Sequence, residues 1–243
     1  MSDRHIGLPN NQDASNQTVD SGASRQQMAG QLAAVVAHDL NNLLATILGC
    51  LELMERRFDD PDRLKVLIKR SSGAVERAAS LTSRLAQFVR RQPQPKALAD
   101  VDVLIADLMP LATSALGRRV RVCAETSSVP ALGLVDSAGL EATLLALCMA
   151  ARAALPEAGS VTLATRVSES RVSISVRVTG SGLKPLDLLQ AHRIASTSGL
   201  EIQSVPTDKS TVVTVSLPPS HHDAGSGDLA PTSNAITSIR CEQ

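Results

Sequence analysis

His38, Asp39 and Asn42 place an imidazole, a carboxylate and an amide within about one turn of a single predicted helix. Near neutral pH an imidazole keeps an unprotonated nitrogen, which makes it a nucleophile and a candidate acid or base. At about 100° per residue, Leu32, Val36, Leu40, Leu43, Ile47, Leu51 and Met54 recur at three- and four-residue spacing and share one face. His38 falls nearly opposite the centre of that face, with Asn42 one turn further on. Gln31, Ala34, Ala45 and Gly49 lie on the same polar side. The geometry turns the imidazole toward solvent or a partner and argues against a buried structural histidine. A functional site and an idle surface histidine both fit it. Ala34, Ala45 and Gly49 are small enough for another protein to approach the helix closely.

The chain has 243 residues, enough for one large or two small domains. Lys+Arg and Asp+Glu stand at 24 each, so no net field draws in nucleic acid or an anionic membrane. Phe58 and Phe88 are the only aromatic residues, which predicts an aliphatic core and disfavours recognition of single strands by base stacking. Cys50, Cys123, Cys148 and Cys241 are scattered without a C-x-x-C pair, a pattern of reduced intracellular thiols more than of bridges or zinc. His221-His222 reads as solvated sequence, and no metal site is expected. No apolar run is expected to cross a bilayer, and the amino terminus lacks a signal-peptide core. These features predict a cytoplasmic protein.

Polar residues 1–24 predict a disordered tail. A first long helix is expected from about Ser24 to Phe58. Asp59-Asp60-Pro61 breaks it and restarts the chain with an acidic cap and proline at the first helical position. The second helix, to about Arg91, carries its own stripe of Leu64, Leu67, Ile68, Val75, Ala78, Leu81, Leu85 and Phe88 or Val89. Two long amphipathic helices joined by a short turn form an antiparallel hairpin over 25–92. One hairpin cannot bury both stripes, so two copies pairing as a four-helix bundle is the simplest solution. Gln92-Pro93-Gln94-Pro95 is a stiff linker.

Residues 98–217 read as α/β. Helices are expected at Val101–Ala115, at Asp136–Leu155 with Asp136 or Ser137 as cap, and at Leu186–Ser196 ended by Gly199. Strands are expected at Val120–Glu125, Val161–Val167, Arg171–Thr179, Leu200–Val205 and Thr211–Leu217. A disordered tail is expected over 218–243. The fold class is thus α+β: an N-terminal helical hairpin, then a small α/β sandwich.

His38-Asp39-Leu40-Asn41-Asn42-Leu43-Leu44, followed by Gly49-Cys50-Leu51-Glu52-Leu53, resembles the H-box of two-component sensor histidine kinases. The nitrogen-regulation and cell-cycle group of that family favours His-Asp-Phe-Asn-Asn-Leu-Leu, and Leu40 keeps the apolar character of its phenylalanine. The resemblance implies that His38 is the phospho-acceptor and that Asp39 assists phosphoryl transfer. It implies further that Asn42 serves dephosphorylation of the partner by positioning water. The second half resembles the family's ATP-binding domain, most clearly from Leu140 to Ser160.

Ala146, Ala150 and Ala153 stand where that family carries the amides and acid of its N-box helix, so this helix offers magnesium no oxygen ligand. Val178 replaces the acid that bonds adenine, a costly loss of a buried polar partner. Gly180-Ser181-Gly182 is a weak remnant of a glycine box, and Leu183-Lys184-Pro185 leads almost at once to the next helix where the family inserts a lid.

The resemblance with these losses implies a histidine phosphotransferase that uses no cofactor of its own. It would exchange phosphoryl groups with receiver-domain aspartates of response regulators, the receiver bringing Mg2+. A sensor kinase ordinarily has an input region or anchor, for which this chain has no room. Ala34, Ala45 and Gly49 form the expected receiver-docking face of a homodimer. An active cytosolic histidine kinase, and a docking or phosphatase module that carries no phosphate, are the alternatives.

Overall fold

The apolar stripe of the first helix and the break at Asp60-Pro61 produce a long antiparallel hairpin. In the computed structural model the described residues are 11–56, 60–90, 94–117, 119–155, 158–168, 171–179, 183–207, 209–218 and 236–242. Helix α1 spans Asn11–Arg56 and α2 spans Pro61–Arg90. Asp60 starts α2, its Oδ1 accepting the Arg63 amide at 3.1 Å, as the acidic cap predicts. Helix α1 begins at Asn11, so residues 11–24 are helical where their polar composition predicts a disordered tail. Polarity alone does not forbid a helix that continues an amphipathic one.

Met28, Leu32, Val36, Leu43 and Cys50 of α1 are buried, together with Ala74, Leu81 and Phe88 of α2. The predicted stripe is only partly right. Leu51 is exposed and Cys50 takes its place, while Ile68, Val75 and Val89 of α2 also face outward.

The remainder is a six-stranded sheet and a two-stranded ribbon packed with helices. Strand β1 (Ala97–Asp100) leads into α3 (Val101–Leu116), then β2 (Val120–Ser127), β3 (Leu132–Val135) and α4 (Ser137–Ala154). Strands β4 (Gly159–Ser168) and β5 (Arg171–Thr179) follow. A short 3-10 turn at Pro185–Leu188 runs into α5 (Leu189–Thr197), and β6 (Glu201–Thr207), β7 (Ser210–Ser216) and β8 (Ile236–Glu242) complete the order. The large sheet is ordered β6-β7-β5-β4-β2-β8. Among the described strands β2 and β4 pair in parallel, as α4 between them permits, and the other ladders are antiparallel.

Period-two patterning sends Val161, Leu163, Ile174, Val176, Val213 and Val215 into the core, while Val212, Thr214 and Ser216 stay half-buried. Thirteen of the 18 residues of α4 are buried, Leu140, Leu144, Leu145 and Leu147 among the most enclosed. The mixed α+β architecture agrees with the reading of the sequence.

Three elements depart from expectation. Strands β1 and β3 form a separate two-stranded ribbon, too short to announce itself by alternation. Strand β8 adds an edge next to β2, where residues 236–242 were expected to be disordered. That ladder sets Cys123 opposite Cys241, and Cys123 is disulfide-bonded, which corrects the expectation of four free thiols. Cys50 and Cys148 are free and buried, and burial pushes the Cys148 thiol up to about 12.

The two units meet through α1 and α2 packing on α3 and α5. Arg84 of α2 pairs with Asp107 of α3 at 3.3 Å and also donates to the Asp107 carbonyl. Asp136 Oδ1 caps α4 by accepting the Ala138 amide at 3.1 Å, and it accepts the Gln94 amide of the connector at 3.2 Å. One carboxylate thereby starts a core helix and fastens the linker.

Two helical stretches, Gln26–Arg56 and Ser137–Ala154, are long and apolar enough to cross a membrane by length and composition, contrary to expectation. Ser137–Ala154 is the core helix α4, most of whose residues are already buried within the second unit.

Candidate phospho-acceptor site

α1 holds the three chemical residues on its polar side. The His38 side chain is 76% exposed, whereas Asp39 is 23% exposed, half tucked against the second unit. His38 Nδ1 lies 3.2 Å from Asn42 Nδ2 and 3.5 Å from Asp39 Oδ1. Thr46 Oγ1 donates to the Asn42 carbonyl at 2.9 Å, closing the next turn of the helix. The exposed imidazole predicted from helical spacing is therefore present, and the structure brings His38, Asp39 and Asn42 together.

Both contacts fall on Nδ1 and leave Nε2 clear of Asp39 and Asn42. An imidazole with its proton on Nδ1 keeps the Nε2 lone pair for a nucleophilic step.

His38, Asp39 and Asn42 line a cavity of about 480 Å³ between the two units. Its far wall is built from the C-terminal ends of α3 and α4 and the start of β2, including Gly117, Arg119 and Arg152. Gly117 has φ of 80°, a left-handed conformation suited to glycine, and it ends α3 by donating to the Thr113 carbonyl. A second cavity of about 450 Å³ shares Asp39 and Asn42 and reaches Arg77 and Ser80 of α2.

The small residues chosen for docking do not act as one surface. Ala45 is exposed and Gly49 half-buried, with open space around the Gly49 Cα. Ala34 instead lines a cleft of about 540 Å³ against Ala146, Met149 and Gln190. Arg119 and Arg152 escape a reading of the sequence because only the docking of the two units brings them near His38. Gly180, Gly182, His221 and His222 lie outside the described residues.

The His Kinase A (phospho-acceptor) domain family matches residues 28–94, a span that includes His38, Asp39 and Asn42. The sensor kinase CckA of Brucella abortus (strain 2308) is 32% identical over 147 residues, covering 59% of this chain and 15% of that protein. The chain therefore spans about a seventh of the length of that relative. A solved bacterial phosphotransferase is 18% identical, with a TM-score of 0.44 over 81% of this chain and 96% of that one. The histidine kinase ThkA, solved in complex with the response regulator protein TrrA, is also 18% identical, with a TM-score of 0.46 over 84% of this chain and 66% of that one. Residues 28–94 thus match a histidine kinase phospho-acceptor hairpin, and over 147 residues the chain is similar to a sensor kinase.

Proposed function

We propose that this chain is a histidine phosphotransferase of a two-component phosphorelay. His38 takes a phosphoryl group from a receiver-domain aspartate and passes it to another, with no useful binding of ATP. The observation that carries the reading is the His38 side chain, 76% exposed at the mouth of an open cavity, with Nε2 free of the two neighbouring groups. Asp39 orients the ring and accepts its proton, and Asn42 positions water when the receiver is dephosphorylated. The receiver supplies the aspartate and the Mg2+. The reaction then depends on positioning and charge neutralisation more than on covalent machinery.

The residues present do not fit ATP. Ala146 and Ala150 offer no oxygen ligand, and Val178 is fully buried where an acid would meet adenine. The Ala146–Ala150 face of α4 also looks into a cleft walled by Gln31, Ala34 and Val35 of α1.

Homodimerisation is part of the proposal. Leu44, Leu48 and Leu51 of α1, with Ile68 and Val75 of α2, remain exposed on the hairpin. A second copy would cover this apolar surface as a four-helix bundle. The proposed location is the cytoplasm, where receiver domains act.

The kinship with a sensor kinase favours a second reading, an ATP-dependent kinase. One experiment separates the two. Purified protein is mixed with a phosphorylated receiver, and label is followed onto wild type and His38→Ala, alongside an arm with Mg-ATP alone. Transfer to wild type, none to the variant and nothing from ATP is the expected result. Labelling of His38 by ATP alone would replace the phosphotransferase with a kinase.

A further inference from the structure

The wall facing His38 is cationic. Arg119, at the start of β2, and Arg152, in the last turn of α4, line the same cavity as His38, Asp39 and Asn42. Among the described lining residues Asp39 is the only carboxylate. Both arginines are exposed, so their guanidinium groups remain hydrated and able to meet an incoming anion. Arg152 is also held in place. Its Nη1 donates to the Ala115 carbonyl at 3.1 Å, near the C-terminal end of α3, where unpaired carbonyls favour a cation. A guanidinium has five N–H donors, so this anchor leaves others for a ligand. Gly117 lies beside it, its Cβ position 3.9 Å from the Arg152 guanidinium carbon.

A phosphoryl group carries about two negative charges near neutral pH. On His38 it would sit beside the Asp39 carboxylate, which lies 3.5 Å from the ring. Two positive groups across the cavity offset that repulsion. Planar guanidinium donors also match the geometry of phosphoryl oxygens. The cavity, at about 480 Å³, has room for the group and for the tip of a loop that delivers it.

We propose that Arg119 and Arg152 of the second unit form the phosphoryl-binding wall of His38, holding the oxygens of the group in transit. This rests on the reading of His38 as phospho-acceptor. It assigns the second unit a direct part in the transfer. In that step the Nε2 lone pair forms a bond to phosphorus as the bond from phosphorus to the aspartyl oxygen breaks. The aspartate leaves as carboxylate with the electron pair, and the Nδ1 proton passes to Asp39 or water. The reverse step regenerates the acyl phosphate on an acceptor.

The test uses the full chain and phosphoramidate, a small donor whose phosphorus–nitrogen bond breaks to release ammonia. Wild type, Arg119→Gln, Arg152→Gln, the double variant, Arg119→Lys and His38→Ala are compared by the rate of phosphohistidine formation and its lifetime after removal of the donor. Arg119→Gln is expected to slow labelling about tenfold, the double variant more, and lysine to restore part of the rate. Salt near 1 M is expected to shrink the difference, since the charges are exposed and the screening length falls to about 3 Å. Among the described residues Arg119 makes no anchoring hydrogen bond of the kind that holds Arg152, so its variant separates charge from structural loss. Equal labelling of wild type and of folded Arg119→Gln and double variants would overturn the wall while leaving His38 as acceptor. No label on wild-type His38, from phosphoramidate or from a phosphorylated receiver, would remove the acceptor and the wall together.

Discussion

The Asn42 side-chain amide stands 3.2 Å from His38 Nδ1, one turn along α1, while Asp39 Oδ1 approaches the same nitrogen to 3.5 Å. One ring nitrogen thus faces a donor and an acceptor and can serve only one at a time. With its proton, Nδ1 points to Asp39 and Nε2 carries the reactive lone pair. Without it, Nδ1 accepts from Asn42 and the lone pair on Nε2 is lost to a proton. The two neighbours select opposite tautomers.

Removal of the acid and of the amide should therefore differ in sign. Asp39→Ala is expected to slow phosphorylation of His38 by on the order of 10²-fold, the usual scale for a lost proton acceptor. Asn42→Ala should leave that rate unchanged or raise it, while hydrolysis of the receiver's aspartyl phosphate falls by about 10²-fold as the water loses its guide. Paired time courses of phosphohistidine and phosphorylated receiver read both rates, and parallel losses in the two variants would contradict the tautomer argument.

Ala45 is exposed on the face of α1 that bears His38, beyond the wall made by the second unit. A bulky arginine at this exposed position obstructs an approaching receiver. Ala45→Arg is expected to reduce receiver-to-His38 transfer about tenfold, equivalent to about 1.4 kcal/mol, with phosphoramidate labelling unaffected. Equal loss with both donors would place the effect in the helix and not in docking.

Leu32 is fully buried in the cluster that joins the hairpin to α3 and α5. Leu32→Ala removes its packing and leaves a cavity, at a cost of about 2–5 kcal/mol. A lower thermal midpoint is expected in calorimetry, and if the joint loosens first, limited proteolysis should cut near Gln94 before the sheet unit unfolds.

The carboxyl of Asp102, in the first turn of α3, is held above its ordinary value chiefly by burial. The Asp100 carboxylate adds to the rise, while Thr165 and the Ser127 amide oppose it. A carboxyl whose folded value is raised favours folding as the neutral acid and opposes it once ionised. Stability from this group is full below the ordinary carboxylate value and is lost as pH rises through the raised one. Asp102→Asn should therefore melt at a higher temperature than wild type at neutral pH and lose that advantage in acid. A constant difference across the titration would show that ionisation is not responsible.

The sequence made the hairpin legible because α1 and α2 carry long helical stripes and Asp60-Pro61 marks the turn. It also exposed the site, since the angle between His38 and Leu40 follows from helical geometry alone. Burial of Cys50 in place of Leu51 was less accessible, because α1 must satisfy α2 and the sheet unit with different parts of its surface. Ala34 shows the same limit: helical spacing groups it with Ala45 and Gly49, but tertiary packing turns it toward α4 and α5. Strand β8 depends on a pairing across more than a hundred residues, for which local alternation carries no signal. Arg119 and Arg152 became visible as a pair only once the two units were in place.

Because Asp136 both begins α4 and grips the Gln94 amide, it helps the α1–α3 and α1–α5 packing and the Arg84–Asp107 pair to set the angle at which the imidazole meets the guanidinium wall. Exchanging hairpins between chains of this architecture would transplant the reactive ring but not its alignment, unless the receiving connector met a carboxylate at the same spot. The unit of inheritance for this chemistry is therefore the clasp along with the helix, and a chimaera cut between them should carry a phosphorylatable histidine that faces an empty wall.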